Sequence, residues 1–436
     1  MKRRTFLKTS TLAATGLVTP QHFVKADDKI KLGILGTGWW ARDFLINYAI
    51  PTNEFDIIGI CDVNQKAMDM ALEKIATLGG KKPAVFKDYH ELLNMPDLQA
   101  VVIATPTHWH ALQFIEACEK GLDIWQEKPL GYDIREMQAM EKAYKKAKNI
   151  VSIDFPRLYG PVNNEVKDYI QSGQAGEIRA IQFNIHSGDG TAPVTDVPSY
   201  LNYEDFCGPA PLLPYTCYPQ GIGSAWRGQH GFSRGILADW GIHYLENIRQ
   251  IMDLDLPDSI SGIASFNVPG AEHPGLQEVI FDFQGRPVQW SHKGWGYSNP
   301  LSHTNMGVFY QGSKGTIFAT DLGWEVYPSD GSGVKEYGGP KLGYGAPEFM
   351  AGVQMAFDLQ FKHFAQAIRD RDDREILGKF DDGLKATAAV TYADMATRTQ
   401  APVVIDHSNL SIKDNAQAGA QLLRSYRSPY SHPYEG

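Results

Sequence analysis

The sequence of 436 residues predicts an α/β protein in two parts. A doubly wound parallel sheet is expected over residues 27–155, and an α+β domain with an open mixed or antiparallel sheet over residues 156–436. Three observations carry this. Up to about Ile153, short Val- and Ile-rich runs alternate with amphipathic stretches, the rhythm of right-handed crossovers between parallel strands. Beyond Phe155 the strands follow one another directly, which points to antiparallel or mixed pairing. The chain also far exceeds the ~150 residues that serve as a soft prior for one domain.

In order, residues 31–35, 56–61, 100–104, 122–126 and 150–153 read as buried strands, with helices over 65–78, 111–120 and 134–148 between them. The second part opens with a helix over 163–172 and a strand over 177–186. An irregular stretch then holds Pro193, Pro198, Pro209, Pro211, Pro214 and Pro219, and a helix follows over 235–252. Strands are expected over 259–267, 277–283, 288–292, 308–311, 315–319 and 325–327, a glycine-rich loop over 331–345, and helices over 355–369 and 383–397. The chain contains no internal repeat.

With 43% hydrophobic and 21% charged residues, the composition excludes collagen-like, coiled-coil and mostly disordered classes. The net charge is −9, and five basic residues but no acid fall within residues 1–26, so the remainder is more acidic still. Nucleic acid and anionic membrane both require a basic surface and are poor partners. The basic start, Lys2-Arg3-Arg4 before Thr5-Phe6-Leu7-Lys8, precedes a weakly apolar stretch and a possible cleavage site at Val24-Lys25-Ala26. This segment resembles a Tat export signal, too short to span a bilayer as an ordinary helix. The expectation is an exported, periplasmic protein without stable membrane insertion, carrying any cofactor out with it. Cys61, Cys118, Cys207 and Cys217 are too few for a disulfide scaffold and read as structural thiols, with one optional disulfide between Cys207 and Cys217.

The chemistry-bearing residues begin at Gly36-Thr37-Gly38-Trp39-Trp40-Ala41, a G-x-G-x-x-A between the first strand and a helix. Gly36 allows the tight turn, Gly38 the approach of a pyrophosphate, and Ala41 close helix–strand packing. Asp62 ends the second strand, where a carboxylate binds ribose hydroxyls and favours NAD over NADP. It could equally cap the following helix, and neighbouring Lys66 leaves NADP open. The run Thr105-Pro106-Thr107-His108-Trp109-His110 lies at the carboxyl edge of the next strand. Thr105 and Pro106 would shape the loop under a nicotinamide. No carboxylate or cysteine completes a metal set with His108 and His110, so no metal is expected, and either histidine could simply cap the helix.

At the same edge, Glu127-Lys128-Pro129 holds an ammonium where it could steady a developing oxyanion. Asp239 and His243 share one face of the 235–252 helix, so the carboxylate could orient the imidazole or share a substrate hydroxyl with it. Histidine is the natural base for an alcohol proton near neutral pH.

Together, Gly36-Thr-Gly38-Trp-Trp-Ala41, Thr105-Pro106, Glu127-Lys128-Pro129-Leu130 and Asp239-x-Gly241-x-His243 resemble the Gfo/Idh/MocA oxidoreductase family. The resemblance extends from about Lys29 to Thr397. It implies a Rossmann domain binding NAD or NADP, a second α/β domain whose outer sheet face supports dimers or tetramers, and sugar or polyol substrates. It assigns Lys128 as the active-site lysine, Asp239 as the substrate-binding acid and His243 as the base. Thr37, Trp39, Trp40, His110 and Glu127 join the cofactor site. Arg157 and Trp226-Arg227 match positions near the substrate. The expected reaction is hydride transfer between nicotinamide and a sugar derivative. The alternatives are an NAD-dependent glycoside hydrolase working through transient oxidation, or a non-catalytic sugar or cofactor sensor. The Pro-rich stretch exceeds the minimal family pattern and resembles exported subgroups.

Overall fold

A computed structural model describes residues 28–186, 191–294, 305–321, 323–338 and 347–434. The export segment expected over residues 1–26 lies outside them.

The first sheet has six parallel strands, β1 (Ile30–Leu35), β2 (Phe55–Cys61), β3 (Ala84–Phe86), β4 (Ala100–Ile103), β5 (Asp123–Gln126) and β6 (Val151–Ile153), in the order β3-β2-β1-β4-β5-β6. Its central strands are almost wholly buried, as the continuous Val- and Ile-rich runs require for a parallel sheet covered on both faces. The order reverses between β1 and β4, where a doubly wound sheet opens its ligand crevice.

The second sheet has ten strands: β7 (Ile178–Ile185), β8 (Ser259–Ser265), β9 (Leu276–Phe283), β10 (Arg286–Lys293), β11 (Met306–Gly312), β12 (Gly315–Ala319), β13 (Gly323–Pro328), β14 (Lys335–Gly338), β15 (Val403–Asp406) and β16 (Ser411–Lys413). Their order is β14-β13-β12-β11-β7-β10-β9-β8-β15-β16. Among the described residues only the β7–β10 pairing is parallel, so the sheet is mixed, as the succession of strands predicts. The inner face packs on helices, including Ile242–Met252 and Phe380–Thr399. The other face leaves Ile263, Ile280 and Val404 exposed.

Several elements escape the sequence pattern. Strand β3 and the helix Tyr89–Leu93 are too short to show a period. Strand β14 falls in the stretch expected to be a glycine-rich loop and exists by pairing with β13. The expected helix over 235–252 is split, with a π-helical turn (Leu237–Gly241) preceding the regular helix Ile242–Met252. All four cysteines are free thiols, and Cys207 is sealed in a local apolar cluster with Leu201, Tyr203, Ala210, Tyr215 and Phe232. The optional disulfide is therefore absent.

Two late segments return to the first sheet. The helix Pro347–Asp370 lays Phe357, Phe361 and Phe364 across it, with Phe361 stacked 4.0 Å from Trp125. The tail brings Arg424 onto Glu136, at 2.8 and 2.7 Å, and His432 within 3.1 Å of Asp133. Both acids are fully buried at the start of the helix Ile134–Ala147, where Asp133 is the N-cap. Asp133, Glu136 and His432 are close enough to suggest a metal cluster, but Arg424, Tyr426 and the helix amides already engage them.

Candidate active site

The carboxyl ends of β1, β2, β4 and β5 open onto two cavities, of about 540 and 500 Å3, that share Trp39, Trp40, Ala104, Thr105, Trp226 and Arg227 in their walls. The larger is built on backbone. Gly36 has φ +84°, and a Cβ there would meet the Ala104 carbonyl oxygen at 2.7 Å, so this turn admits only glycine. Gly38 has no atom within 4 Å of an added Cβ and faces open space. This cradle at a helix start suits a pyrophosphate. Asp62 closes it, accepting from Thr37 N at 2.6 Å, Thr37 Oγ1 at 3.0 Å and Asn64 N at 2.9 Å. Burial pushes the Asp62 carboxyl above its usual value, and the Thr37 and Asn64 bonds pull it back only in part. The expected capping role falls instead to Asn64, whose side chain accepts from Ala67 N.

The Pro-rich stretch covers this cavity from the second domain. Its backbone reaches across at Gln65 N to Tyr200 O and Asn202 N to Val63 O, and Leu201, Phe206 and Gly221–Ser224 complete the wall.

The histidines of the third motif do not cap their helix, which has no side-chain cap. His110 places its two ring nitrogens 2.8 Å from the carbonyl oxygens of Thr105 and Pro129, tying the β4 loop to the Lys128 corner. Only a doubly protonated ring would donate to both, yet burial draws its pKa down to about 4, so the neutral ring donates to one carbonyl. His108 is buried, its Nε2 against the Phe206 carbonyl.

The smaller cavity is built from side chains far apart in sequence. Lys128 Nζ donates to Asp239 Oδ1 at 2.9 Å and to the Asp239 carbonyl, which the wide π-helical turn presents to it. Arg227 Nε holds Asp239 Oδ2 at 3.1 Å and its guanidinium lies 4.4 Å from the Trp226 ring. Burial alone would raise the Asp239 carboxyl, but Lys128 and Arg227 hold it well below the usual carboxylate range. With both oxygens so engaged, Asp239 does not orient His243 as the helical spacing suggests. His243 is buried in the same cavity, edge-on to Phe155, and its Nδ1 has no hydrogen-bond partner among the described residues. Burial, then Lys128 and Arg157, draw its pKa well below the ordinary histidine value. The imidazole is neutral at physiological pH and able to take a proton.

Three contacts do not follow from the spacing of the motifs. Arg157 reaches Asp321 through two bonds, at 2.6 and 2.9 Å, and lies over the rings of Trp240 and Tyr244. Trp40 Nε1 donates to Glu127 Oε1 at 2.6 Å and to Asp154 Oδ2 at 3.2 Å. Glu127 and Asp154 thus meet at one indole N–H, and burial raises both carboxyls, with the neighbouring acid adding to the rise at Glu127. Lastly, Val353, Met355 and Phe357 of the returning helix form one wall. Asp154 and Asp321 are single acids after strand ends, with no spacing signal to mark them.

Residues 30–155 match the model of an oxidoreductase family with an NAD-binding Rossmann fold, and residues 177–264 match that family's C-terminal alpha/beta domain. A glycosyl hydrolase family 109 protein of Shewanella pealeana is 27% identical over 204 residues, 41% of this chain and 44% of that protein. The chain thus spans less than half the length of the curated relatives it matches. Among solved structures, an oxidoreductase of Agrobacterium radiobacter in complex with NAD+, L-tartaric acid and magnesium superposes with TM-score 0.64 at 18% identity, covering 86% of this chain and 98% of that one. The WlbA dehydrogenase of Bordetella pertussis, in complex with NADH and UDP-GlcNAcA, gives TM-score 0.63 at 18% identity over 87% and 99%. At these identities the structures speak for the fold. Because the models for both halves match in order along a chain that also carries the motif residues in one cleft, this protein belongs to the Gfo/Idh/MocA oxidoreductase family.

Proposed function

We propose that the protein transfers hydride between NAD and a hydroxyl-bearing carbon of a sugar, polyol or sugar derivative. The observation that carries this reading is the convergence of Lys128, Asp239 and His243 in one cavity that adjoins the Gly36–Gly38 cradle. That cradle, with Thr37, Trp39, Trp40, Asp62, Thr105, Pro106 and Glu127, would hold the cofactor. When bound, NAD supplies a hydride acceptor. His243 receives the hydroxyl proton on its neutral ring. Lys128 donates to the same oxygen and steadies its developing negative charge. Asp239, kept ionised by two cations, accepts from a neighbouring hydroxyl and fixes the sugar's orientation, while Arg157, Trp226 and Arg227 close the cavity. Asp62 favours NAD, since a 2′-phosphate beside its carboxylate would be repelled.

A second reading, net hydrolysis of a glycoside with no net change in the cofactor, is favoured by the glycosyl hydrolase family 109 name of the relative described above. One experiment separates the two. The purified protein is denatured to identify any released nicotinamide by mass spectrometry, and fresh protein is incubated with free sugars and aryl glycosides without added cofactor. Oxidation of a free sugar with accumulation of bound NADH is the expected result. Aglycone release without NADH would establish the hydrolase. Absence of bound nicotinamide together with failure to bind added NAD would overturn both.

Two further proposals accompany this. Residues 1–26 direct export through a Tat-type route, tested by fractionating cells that carry the Arg3→Lys/Arg4→Lys pair. The outer face of the second sheet, with Ile263, Ile280 and Val404 exposed, joins copies into a dimer or tetramer, tested by light scattering of the purified protein.

A further inference from the structure

A third cavity, of about 350 Å3, lies on the far side of the Asp239–Arg227 ion pair. Both residues of that pair also line the 500 Å3 cavity, so the pair forms the partition between them. Arg227 is about half exposed, at 48% of its side chain, and is the movable member, whereas Asp239 is fixed from behind by Lys128. The volume falls in the ~300–1,000 Å3 range of small-molecule sites.

The wall shows what kind of ligand fits. Its guanidinium is already paired with Asp239, and Glu272 Oε2 accepts from the His230 amide at 2.6 Å, so the described wall offers no unmatched guanidinium or ammonium to hold an anion. It does offer neutral hydrogen-bonding groups in Thr216 and Gln229, which bond each other at 3.3 Å, the buried Nε2 of His273, which has no partner among the described residues, and the half-exposed ring of Tyr218. An aromatic face among neutral donors and acceptors suits a pyranose, which carries C–H groups on one side and hydroxyls around its rim. None of these residues belongs to the nicotinamide half of the cleft.

We propose that this cavity is a second carbohydrate subsite, taking the neighbouring unit of a glycoside whose reacting sugar occupies the 500 Å3 cavity, with the Asp239–Arg227 pair at the junction. The proposal rests on the carbohydrate reading above and deepens it, because a free monosaccharide would leave this space unused. The physiological substrate is then a di- or oligosaccharide, or another glycoside.

The test compares matched pairs, each a monosaccharide and a disaccharide with the same non-reducing unit, in gluco, galacto, manno and N-acetylgalactosamine series. Binding is followed by titration calorimetry on the full protein and turnover by bound NADH or released sugar. The disaccharide of the accepted series is expected to bind more tightly by roughly tenfold, the size of one aromatic contact. Ala271→Trp, which fills the cavity, and Tyr218→Ala, which removes its ring, each bring the disaccharide-to-monosaccharide ratio toward one. Circular dichroism melting reports whether either variant folds, and the milder Tyr218→Ala keeps the test alive if Ala271→Trp does not. Equal binding of both members of the pair by the parent protein, or an unchanged ratio in a folded variant, overturns the subsite while leaving the carbohydrate reading intact. Failure of every sugar to bind or to reduce the cofactor overturns both.

Discussion

The two halves of the cleft are built from different materials. The cofactor half is made of backbone: a glycine turn at φ +84°, an open Gly38, and a carboxylate, Asp62, spent on the amides and hydroxyl of its own neighbourhood. The substrate half is made of charge, with Asp239 between Lys128 and Arg227, Arg157 on Asp321, and His243 left neutral beside them. The same residue type therefore behaves oppositely in the two places. Asp62, among neutral donors, is raised by burial, whereas Asp239, between cations, is held low. A backbone site is specified by steric permission and a charged site by pairing, so they should break in different ways.

The sharpest separation comes from His243→Ala. Turnover should fall about 10²–10⁴-fold, the usual worth of a general base, while NAD affinity measured by tryptophan quenching stays within a few-fold. Similar losses in both would mean the halves are not independent. Gly36→Ala is the counterpart. Its Cβ would press on the Ala104 carbonyl, so NAD binding should be lost and thermal melting should report a cost of about 2–3 kcal/mol. Lys128→Met should lower turnover roughly 100-fold and move the acid limb of the rate profile upward, because removing the ammonium leaves burial and Arg157 as the influences holding the His243 pKa down.

The pH dependence of stability sharpens the contrast from another side. His108 and His110 lie at the junction of the halves with folded pKa values drawn down to about 3 and about 4 by burial. In the unfolded chain they titrate near ~6.5, so between these values the unfolded state binds more protons. Their contribution is complete above pH ~6.5 and is lost as pH falls toward 4, and a melting series across that window should show a steady drop. Turnover has its own acid limb, set by the depressed pKa of His243 and lying below the ordinary histidine range. The smallest expected effect is that of Asp154→Asn. Removing the acid beside it should let the Glu127 carboxyl titrate at lower pH, visible by carboxyl ¹³C NMR, with little change in melting.

The same division explains what the sequence could reveal. Gly36, Gly38 and Asp62 are legible because a backbone cradle needs particular residues at fixed short spacing, and the central parallel strands are legible because burial on both faces forces continuous Val and Ile. Lys128 and Asp239 could be found from their short motifs, but their contact across 111 positions could not. The helical spacing even suggested a different partner for Asp239, since a π-helical turn replaces the expected helix there and Lys128 and Arg227 take both oxygens. Asp154, Asp321 and the wall from Val353 to Phe357 carry no local signal at all. They reach the cleft only through the packing of elements distant in the chain.

Arg424 and His432, which bond Glu136 and Asp133 at the start of a helix in the first sheet's covering layer, tie the end of the described chain to its first domain. A nascent chain that has emitted its first half holds two buried acids whose tail partners have not yet been translated, and a sheet face still waiting for Phe361 and Phe364. Loss of the last dozen described residues would remove Arg424 and His432 together and leave Asp133 and Glu136 with only the amides of Tyr132 and Glu136 as partners, so a cut far from the cleft would loosen the layer that backs it.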